Sequence, residues 1–529
     1  MKRSLALILM LLMVLSMTTA CGGTKAEVKT DADGASASVP GAQPESSNAG
    51  PTAAVVKDTL TVAIKADVTT FHPSDISTTV EMDVTDQIYD KLMDFSNEGN
   101  GEYVPRIAKS YEISEDGLVY TFHLRDDVTF HDGSKLTAED VKFSAELYQN
   151  SKFQGALAEG LSEIEVIDAT TIAFKTAEPY SPFLENIIGI HIASKAYHDA
   201  VDENAFTSKP IGSGAYKVSS HELGSRIVLE AYEGYYEGVA RIKEVTFKVL
   251  SDDTTVAIAL QTGEIDFASI SESNYANLEG IDEIVVESVP MSRFGFISLN
   301  HEKSPYSEVK FRQAVAYAIN RDNLIELAMD GFGTVNSNIL SPMRFGYSED
   351  QFQYTYDPEK AKQLLSEAGI KTPYDLGVMY VADSYSTHAQ VIQSDLAAVG
   401  LNVTLEILEF NAYLDKLMNG ECGITMLSMS LEGSTQQYAM AFKSEYVGAA
   451  NNVRYVNPEI DTLFDTAAKE IDSDKRYKLY NEIFTKVQDE AVYVVLYNSI
   501  GLYAHQIDLR CHPFILEGRI RIYDFEWLK

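Results

Sequence analysis

Three acidic side chains, Asp383, Glu409 and Glu432, each follow an apolar run that is typical of a β-strand. A carboxylate that is partly removed from water pairs strongly with an ammonium group, because the charge-assisted hydrogen bond is then not weakened by solvent. If the three strands are neighbours in one parallel sheet, their carboxyl ends lie at the same edge. The spacing therefore predicts an acidic cleft that binds a cationic group.

The same strand ends carry other side chains that could contact a ligand. Tyr385 and Phe410 offer aromatic faces, while Met429 offers an adaptable apolar wall and Ser430 a hydroxyl group. We include all four residues with the three acids as candidate ligand-binding residues.

The sequence contains no recognisable catalytic or cofactor motif. It has no Gly-x-Ser-x-Gly elbow, no His-Glu-x-x-His zinc motif and no phosphate loop of the Gly-x4-Gly-Lys type. Only His301 and His388 occur between residues 293 and 496, and Cys422 and Cys511 lack the spacing of zinc or redox sites. We therefore expect no enzymatic activity, no cofactor and no directly bound metal.

The elements that must hold the candidate side chains form a βαβαβ unit. Strands are predicted near 376–381, at 403–408 and at 424–430, and the helices between them end at Gly400 and Gly420. This alternation favours a parallel sheet, in which ligands bind beyond the carboxyl ends of the strands.

Local signals mark further elements. Residues 118–124 alternate between the two faces of a strand, and Thr137 with Asp140 forms a predicted capping box that starts a helix at about residue 138. Asp357-Pro358 and Asn457-Pro458 each place a capping side chain before a proline at the first helical position. The fold class predicted from these patterns is mixed α/β.

Five segments closely resemble, in the expected order, the peptide/nickel class (family 5) of bacterial extracellular solute-binding proteins. They are IAKSYEISEDGLVYTFHLRDDVTFHDGSKLTAEDVKFSAE (107–146), PIGSGAYK (210–217), AIALQTGEID (257–266), FRQAVAYAIN (311–320) and YDPEKAK leading to EAG (356–369). Each segment alone is a weak signal, but all five in order are specific. These proteins are the binding subunits of ATP-driven importers and include dipeptide and oligopeptide binders.

The resemblance implies a two-lobed periplasmic-binding-protein-like fold of class II type, with the ligand enclosed between the lobes. Two crossover strands are expected near residues 293–300 and 492–498. The expected first lobe comprises residues 56–292 and 497–529, with an inserted subdomain at about 92–200, and the expected second lobe comprises residues 293–496.

The resemblance also implies roles for single residues. In the family's peptide binders an aspartate after the third strand of the βαβαβ unit pairs with the peptide amino group, and Glu432 takes its place here. Met429 stands where those proteins have tryptophan, and Asp383 lies where dipeptide binders have an arginine. The missing arginine argues against dipeptide specificity, whereas longer peptides bound through their main chain would not need that residue. The missing arginine and tryptophan together favour a different small molecule over a peptide. Arg293 and Arg344 are the remaining candidates for pairing with a peptide carboxylate.

Two alternatives stay open. The same architecture could import an amine-bearing small molecule or a chelated metal such as nickel. A surface lipoprotein could instead act as a hydrolase, an adhesin or a sensor. Turnover of a substrate would favour that last class.

The N-terminal residues are typical of an exported lipoprotein. Lys2 and Arg3 precede an apolar stretch at 5–15, and small residues lead to Cys21, so residues 1–20 resemble a signal peptide with a lipobox. Residues 21–55 have the composition of a flexible tether. We expect a lipid on Cys21 and a position on the extracellular or periplasmic face of a membrane.

The formal net charge of the chain is −36. Such an acidic surface repels nucleic acid and favours solubility. The partners we expect are a peptide or peptide-like ligand, the permease and ATPase subunits of an ABC importer, and the membrane through the lipid anchor. We expect the protein itself to be a monomer.

Overall fold

The structure is a computed structural model that describes residues 57–95, 103–340, 344–430, 434–511 and 519–528. The strands are β1 (Thr59–Ile64), β2 (Met93–Phe95), β3 (Tyr103–Pro105), β4 (Ala108–Ile113), β5 (Val119–Leu124), β6 (Leu161–Asp168), β7 (Thr171–Thr176), β8 (Tyr216–Glu222), β9 (Arg226–Ala231), β10 (Glu244–Val249), β11 (Phe267–Ile270), β12 (Ile284–Leu299), β13 (Gly333–Val335), β14 (Tyr374–Ala382), β15 (Leu401–Leu408), β16 (Ile424–Met429), β17 (Tyr493–Gln506), β18 (Leu509–Arg510) and β19 (Glu526–Trp527).

The helices lie between these strands. They are α1 (Thr79–Ile88), α2 (Ala138–Asn150), α3 (Pro182–Ile187), α4 (Lys195–Ala200), α5 (Glu203–Ser208), α6 (Asp253–Gln261), α7 (Glu272–Leu278), α8 (Val309–Ala318), α9 (Arg321–Ala328), α10 (Pro358–Glu367), α11 (Ser386–Ala398), α12 (Phe410–Met418), α13 (Ala439–Phe442), α14 (Pro458–Lys469) and α15 (Ser473–Asp489). Within the described ranges, no helix combines the length and the apolar character needed to cross a membrane.

One eleven-stranded sheet runs through the whole molecule. Its strands follow the order β15, β14, β16, β12, β17, β11, β1, β10, β9, β8, and β13 pairs separately with β17. The long strands β12 and β17 lie in the middle and pair antiparallel along most of their length. Because both strands extend from one half of the sheet into the other, they connect the two halves. They are longer than the crossovers predicted at 293–300 and 492–498.

The pairing of β12 with β17 is interrupted at one place. The register shifts between Pro290 and Phe294, and again between Gly295 and Phe296. Such a bulge bends a strand and leaves residues without ladder partners on the neighbouring strand. The sheet therefore bends at the junction of its two halves.

The half of the sheet with β14, β15 and β16 contains the predicted βαβαβ unit. β14 lies between β15 and β16 and runs parallel to both, so the predicted parallel arrangement is confirmed. The predicted helix caps are also confirmed, because Asp357 accepts a hydrogen bond from the Lys360 N–H and Asn457 accepts one from the Glu459 N–H. Helices α8, α10 and α11 cover this half and bury a continuous apolar core.

The residues around α2 form a smaller unit with its own sheet. The strands β4, β5, β7 and β6 are antiparallel neighbours in that order. The predicted alternation along 118–124 is confirmed, because Tyr120, Phe122 and Leu124 are buried. At the start of α2, the Asp140 carboxylate accepts the Thr137 N–H at 2.9 Å, which confirms the predicted capping box. The domain boundaries given above remain predictions.

Candidate ligand-binding cleft

The carboxyl ends of β14 and β16 lie at the junction of the two halves of the sheet. Met429, the last residue of β16, pairs with Phe294 of β12 directly after the bulge. β14 is the next strand along and parallel to β16. Side chains that follow these two strands therefore lie beside the point where β12 passes into the other half of the molecule.

A polar network occupies this junction. The Tyr385 hydroxyl lies 2.6 Å from the Ser428 hydroxyl, and Arg293 donates a long hydrogen bond of 3.5 Å to the same oxygen. The Ser292 and Ser430 hydroxyls are 3.1 Å apart. Tyr385 lies on the short 3-10 turn between β14 and α11, while Ser428 lies in β16 and Ser430 directly follows that strand. The structure thus brings together three of the predicted site residues, Arg293, Tyr385 and Ser430.

A buried aromatic layer supports the network. The His388 ring lies 5.7 Å from the Tyr385 ring and 5.8 Å from the Tyr497 ring, between centroids. Neither nitrogen of His388 has a hydrogen-bond partner among the described residues. Burial lowers the pKa of His388 to about 4, so its imidazole is neutral near neutral pH. Burial also raises the pKa of Tyr497, whose phenol stays protonated.

Gly295 explains how Tyr497 fits into this layer. A Cβ atom on Gly295 would lie 2.3 Å from the ring carbon Cζ of Tyr497, so only glycine allows the ring to cross β12 here. Sequence reasoning missed Tyr497 and also left Ser292 and Ser428 out of the candidate residues. A glycine inside a strand often marks close approach of another group, and that signal could have pointed to this place.

Met429 lies on the opposite face of β16 from Ser428. Its side chain is only 7% exposed and belongs to an apolar cluster with Phe294 and Phe296. This placement follows from the alternation of side chains along a strand. In the structure Met429 packs in the core, and its predicted contact with a ligand remains a prediction.

The end of β15 differs from the ends of β14 and β16. Glu409 is exposed and accepts hydrogen bonds from the N–H groups of Asn411 and Ala412, so it caps α12. Phe410 is half-buried, and its ring lies 6.2 Å from the Tyr413 ring. Asp383, after β14, is exposed and accepts the Ser384 N–H at 2.9 Å. Both acids therefore bond to neighbouring backbone.

Arg344 is the second arginine predicted to pair with a ligand carboxylate. It is buried, and its charge acts on Glu185 in α3. Burial raises the pKa of Glu185, although Arg476 and Arg344 act in the opposite direction. Arg344 thus contributes to an electrostatic contact between α3 and the other half of the molecule. Its predicted role as a partner of a ligand carboxylate remains a prediction.

Two predicted residues, Glu432 and Cys21, lie outside the described residues. Among those described, the junction offers one guanidinium and several hydroxyl groups. Such groups donate hydrogen bonds to carboxylates and to main-chain carbonyls. The site is suited to non-covalent recognition of a ligand with carbonyl or carboxylate oxygens.

Comparisons with known proteins agree with this architecture. A model of the family "bacterial extracellular solute-binding proteins, family 5 Middle" matches residues 102–447. The dipeptide-binding protein of Escherichia coli K12 is 30% identical in a 448-residue alignment that covers 78% of this chain and 84% of that protein. Heme-binding protein A of Haemophilus influenzae is 28% identical over 450 residues, or 78% and 82% of the two chains.

A solved structure of a solute-binding protein has a similar fold. The periplasmic binding protein DppA from Helicobacter pylori, in complex with the peptide STSA, superposes with a TM-score of 0.69. The two sequences are 27% identical, and the match covers 90% of this chain and 99% of that one.

A sheet shared by two halves, two long connecting strands and a polar site at their junction define a two-lobed solute-binding protein. This chain belongs to family 5 of the bacterial extracellular solute-binding proteins, the substrate-binding components of ABC importers. The predicted resemblance and the predicted fold class are both confirmed. The family consists of transport proteins that bind substrates.

Proposed function

We propose that this protein captures a peptide or a peptide-like ligand between its lobes and delivers it to the permease of an ABC importer. The observation that carries the proposal is the network of Arg293, Tyr385 and Ser428 at the junction of the lobes. A relative is named a dipeptide-binding protein and a similar structure contains a peptide. Both support a ligand with main-chain amides and charged termini.

The two ends of the ligand would meet different charges. Glu432 pairs with the peptide amino group, as the family resemblance implies, and Arg293 donates hydrogen bonds to a carboxylate or a main-chain carbonyl of the ligand. An Arg–carboxylate contact in a partly dry site is strong because both partners are charged. Arg344 is a second candidate for the carboxylate, although in the structure its charge acts on Glu185.

Lobe closure provides the mechanism of capture. The bulge at residues 290–294 separates the ordered pairing of β12 in the first half from that in the second half. The backbone dihedral angles of a few residues at such a bulge can change, and this allows one lobe to rotate against the other. Ligand contacts that exist only in the closed arrangement then shift the equilibrium towards closure.

The lobes also touch at a distance from the bulge. Ser181, before α3, donates its N–H to the Ala468 carbonyl at 2.7 Å and its hydroxyl to the Ala467 carbonyl at 3.0 Å. Lys469 forms an ion pair with Glu178 at 2.8 Å. These contacts join the segment before α3 to the end of α14.

Calorimetric titration of the full-length, ligand-stripped protein with di-, tri- and pentapeptides tests the proposal. We expect dissociation constants in the micromolar range or below. The Glu432→Gln variant should bind at least about tenfold more weakly, because it replaces a charged partner of the ammonium group by a neutral one. Peptides with an acetylated amino terminus should bind the wild type about as weakly as free peptides bind the variant.

Glu409→Gln is the matched control, since it removes one carboxylate from an exposed capping position. It should bind peptides like the wild type. Absence of binding with every peptide would refute peptide capture, while the family and the transport role would still stand.

A second candidate is capture of a different compound by the same architecture. The relative from Haemophilus influenzae is named a heme-binding protein, so proteins of this kind differ in their ligands. An amine-bearing metabolite or a chelated metal such as nickel would fit the acidic candidates Asp383 and Glu432. If calorimetric titration detects binding of such compounds but no binding of peptides, the result supports this second candidate.

We further infer that the protein is anchored to the membrane through a lipid on Cys21. The small residues before Cys21 and the tether composition of 21–55 support this inference. In cells, wild-type protein should partition into the membrane fraction, and Cys21→Ser should appear in the soluble fraction or in the medium. Equal partitioning of the two proteins would contradict the anchor.

A further inference from the structure

Three side chains with metal-binding atoms lie together in the first half of the sheet. Ligand atoms of Glu287, His505 and Cys511 are all within 4.8 Å of one another. His505 of β17 pairs with Val285 of β12, so Glu287 is its diagonal neighbour on the same face of the sheet. Cys511 follows β18 and reaches the same place. The register of β12 with β17 thus brings Glu287 beside His505, and the chain returns after β18 to place Cys511 next to both.

The hydrogen bonding of His505 leaves one ring nitrogen ready to bind a metal. His505 is only 5% exposed, and its Nδ1 lies 2.9 Å from the Gln506 carbonyl oxygen. In the neutral imidazole that contact assigns the proton to Nδ1, so Nε2 carries the lone pair. Metal-binding histidines are commonly oriented by such a bond from the other ring nitrogen.

Nε2 has no hydrogen-bond partner among the described residues, and it lies 3.7 Å from a carboxylate oxygen of Glu287. The imidazole is buried whereas the Glu287 carboxylate is partly exposed, and a lone pair that faces a carboxylate is unfavourable unless a positive charge lies between them. A bound cation would satisfy both groups.

Cys511 supplies a third donor of a softer type. It is a free cysteine and only 7% exposed. Burial, together with the nearby Glu287 carboxylate, raises the pKa of its thiol to about 12, so a metal must displace the proton when it binds. Cys511 belongs to the apolar cluster of the first lobe, which shields the site from water.

We propose that Glu287, His505 and Cys511 bind one divalent transition-metal ion of the Zn²⁺ type. Oxygen, nitrogen and sulfur donors in a set of three suit zinc, which then takes water or another ligand in the fourth position. The thiolate and imidazole disfavour Mg²⁺ and Ca²⁺, which prefer oxygen ligands. Sequence spacing gave no sign of this site, because its ligands come from three separate segments.

The proposed metal would connect β12 and β17 with the segment after β18. Glu287 and His505 lie in the part of β12 and β17 before the bulge at residues 290–294, and Cys511 packs beside them, whereas the polar network lies beyond the bulge. The role of the ion is therefore to stabilise the first lobe. The proposal does not depend on which ligand the cleft binds.

Titration of the metal-free, full-length protein with Zn²⁺ and with Co²⁺ tests the site. We expect one equivalent to bind with a dissociation constant in the micromolar range or below. Bound Co²⁺ should give a thiolate-to-metal charge-transfer absorption in the near ultraviolet. The midpoint of thermal unfolding should rise with Zn²⁺ concentration, because the ion binds the folded state.

Variants identify the ligands. Cys511→Ser should abolish the cobalt–thiolate absorption, and Cys511→Ser and Glu287→Gln should each weaken Zn²⁺ binding at least about tenfold. Cys422→Ser is the matched control, because Cys422 is also a buried free cysteine but lies in the other lobe. It should keep both the absorption and the affinity.

Two results would overturn the proposal. One is the absence of stoichiometric binding, which would show that the contact between His505 and Glu287 is structural only. The other is unchanged binding in Cys511→Ser, which would assign the ion to carboxylates elsewhere on the surface. If Cys511→Ser fails to fold, Glu287→Gln decides, since the Glu287 side chain is 41% exposed and its substitution leaves the core intact.

Discussion

The ends of the three parallel strands in the second lobe look alike in sequence but differ in the structure. At the ends of β14 and β16, the Tyr385 and Ser428 hydroxyls contact each other, and the Arg293 guanidinium of β12 donates to Ser428. The end of β15 carries Glu409, which is exposed and caps the next helix. Position in the sheet makes the difference, since β15 is the edge strand whereas β14 and β16 approach the crossover strand β12.

This difference qualifies the rule that ligands bind beyond the carboxyl ends of parallel strands. The rule identifies an edge of the sheet, but it does not say which strand ends on that edge face the second lobe. Here the pairing of Met429 with Phe294 brings β16 to the bulge. Strand order, which a single sequence does not reveal, decides which side chains can reach an enclosed ligand.

The largest expected effect comes from Arg293, the only charged residue of the network. Arg293→Met keeps much of the aliphatic stem but removes the guanidinium group. Peptide affinity should fall about tenfold to a hundredfold, because a hydrogen bond to a charged group contributes about 1.5–3 kcal/mol. Titration calorimetry with a free peptide and with its carboxyl-terminal amide measures this effect.

The amidated peptide is the control for Arg293. If Arg293 pairs with the ligand carboxylate, amidation should weaken binding to the wild type and have little further effect on the variant. Full affinity of Arg293→Met for both peptides would show that the network does not contact the ligand.

The next effect concerns the buried layer beneath the network. The pKa of His388 is about 4 in the folded protein and near 6.5 in an unfolded chain. Between these values the unfolded chain binds a proton that the folded protein does not bind, so stability is lost as pH falls from about 6.5 towards 4. This one residue should lower the free energy of unfolding by about 2 kcal/mol between pH 7 and pH 5.

Denaturant unfolding at the two pH values checks the contribution of His388. His388→Phe keeps an aromatic ring but removes the titrating group, so its loss of stability between pH 7 and pH 5 should be smaller by about 2 kcal/mol. An equal loss in the variant and the wild type would mean that this layer is not as dry as the structure indicates.

Tyr385→Phe should have a smaller effect, because it removes only the hydroxyl that lies 2.6 Å from Ser428. The free energy of unfolding should fall by about 1 kcal/mol, which is typical of one neutral hydrogen bond. Chemical denaturation measures this change. The same substitution should weaken peptide binding several-fold if the hydroxyl helps to position Arg293, and unchanged affinity would limit Tyr385 to a structural role.

Much of the second lobe could be predicted from the sequence because its signals are local. Asp357, Asn457 and the glycines after the helices mark boundaries through their own backbone and capping preferences. The direction in which Met429 points also follows from alternation, once the bounds of β16 are known. The contacts of Ser292 with Ser430, and of Tyr497 with Gly295, depend on register between distant strands, which local preferences do not determine.

The smallest expected effect comes from Glu409, at the end of the edge strand β15. Glu409→Ala removes the side chain that accepts two backbone N–H groups at the start of α12, so the free energy of unfolding should fall by about 0.5 kcal/mol. Peptide affinity should stay within about twofold of the wild type, a difference of about 0.4 kcal/mol. Parallel unfolding and calorimetric measurements check both values. A tenfold loss of affinity would instead place the end of β15 in the binding site, and the contrast between edge and central strands would no longer hold.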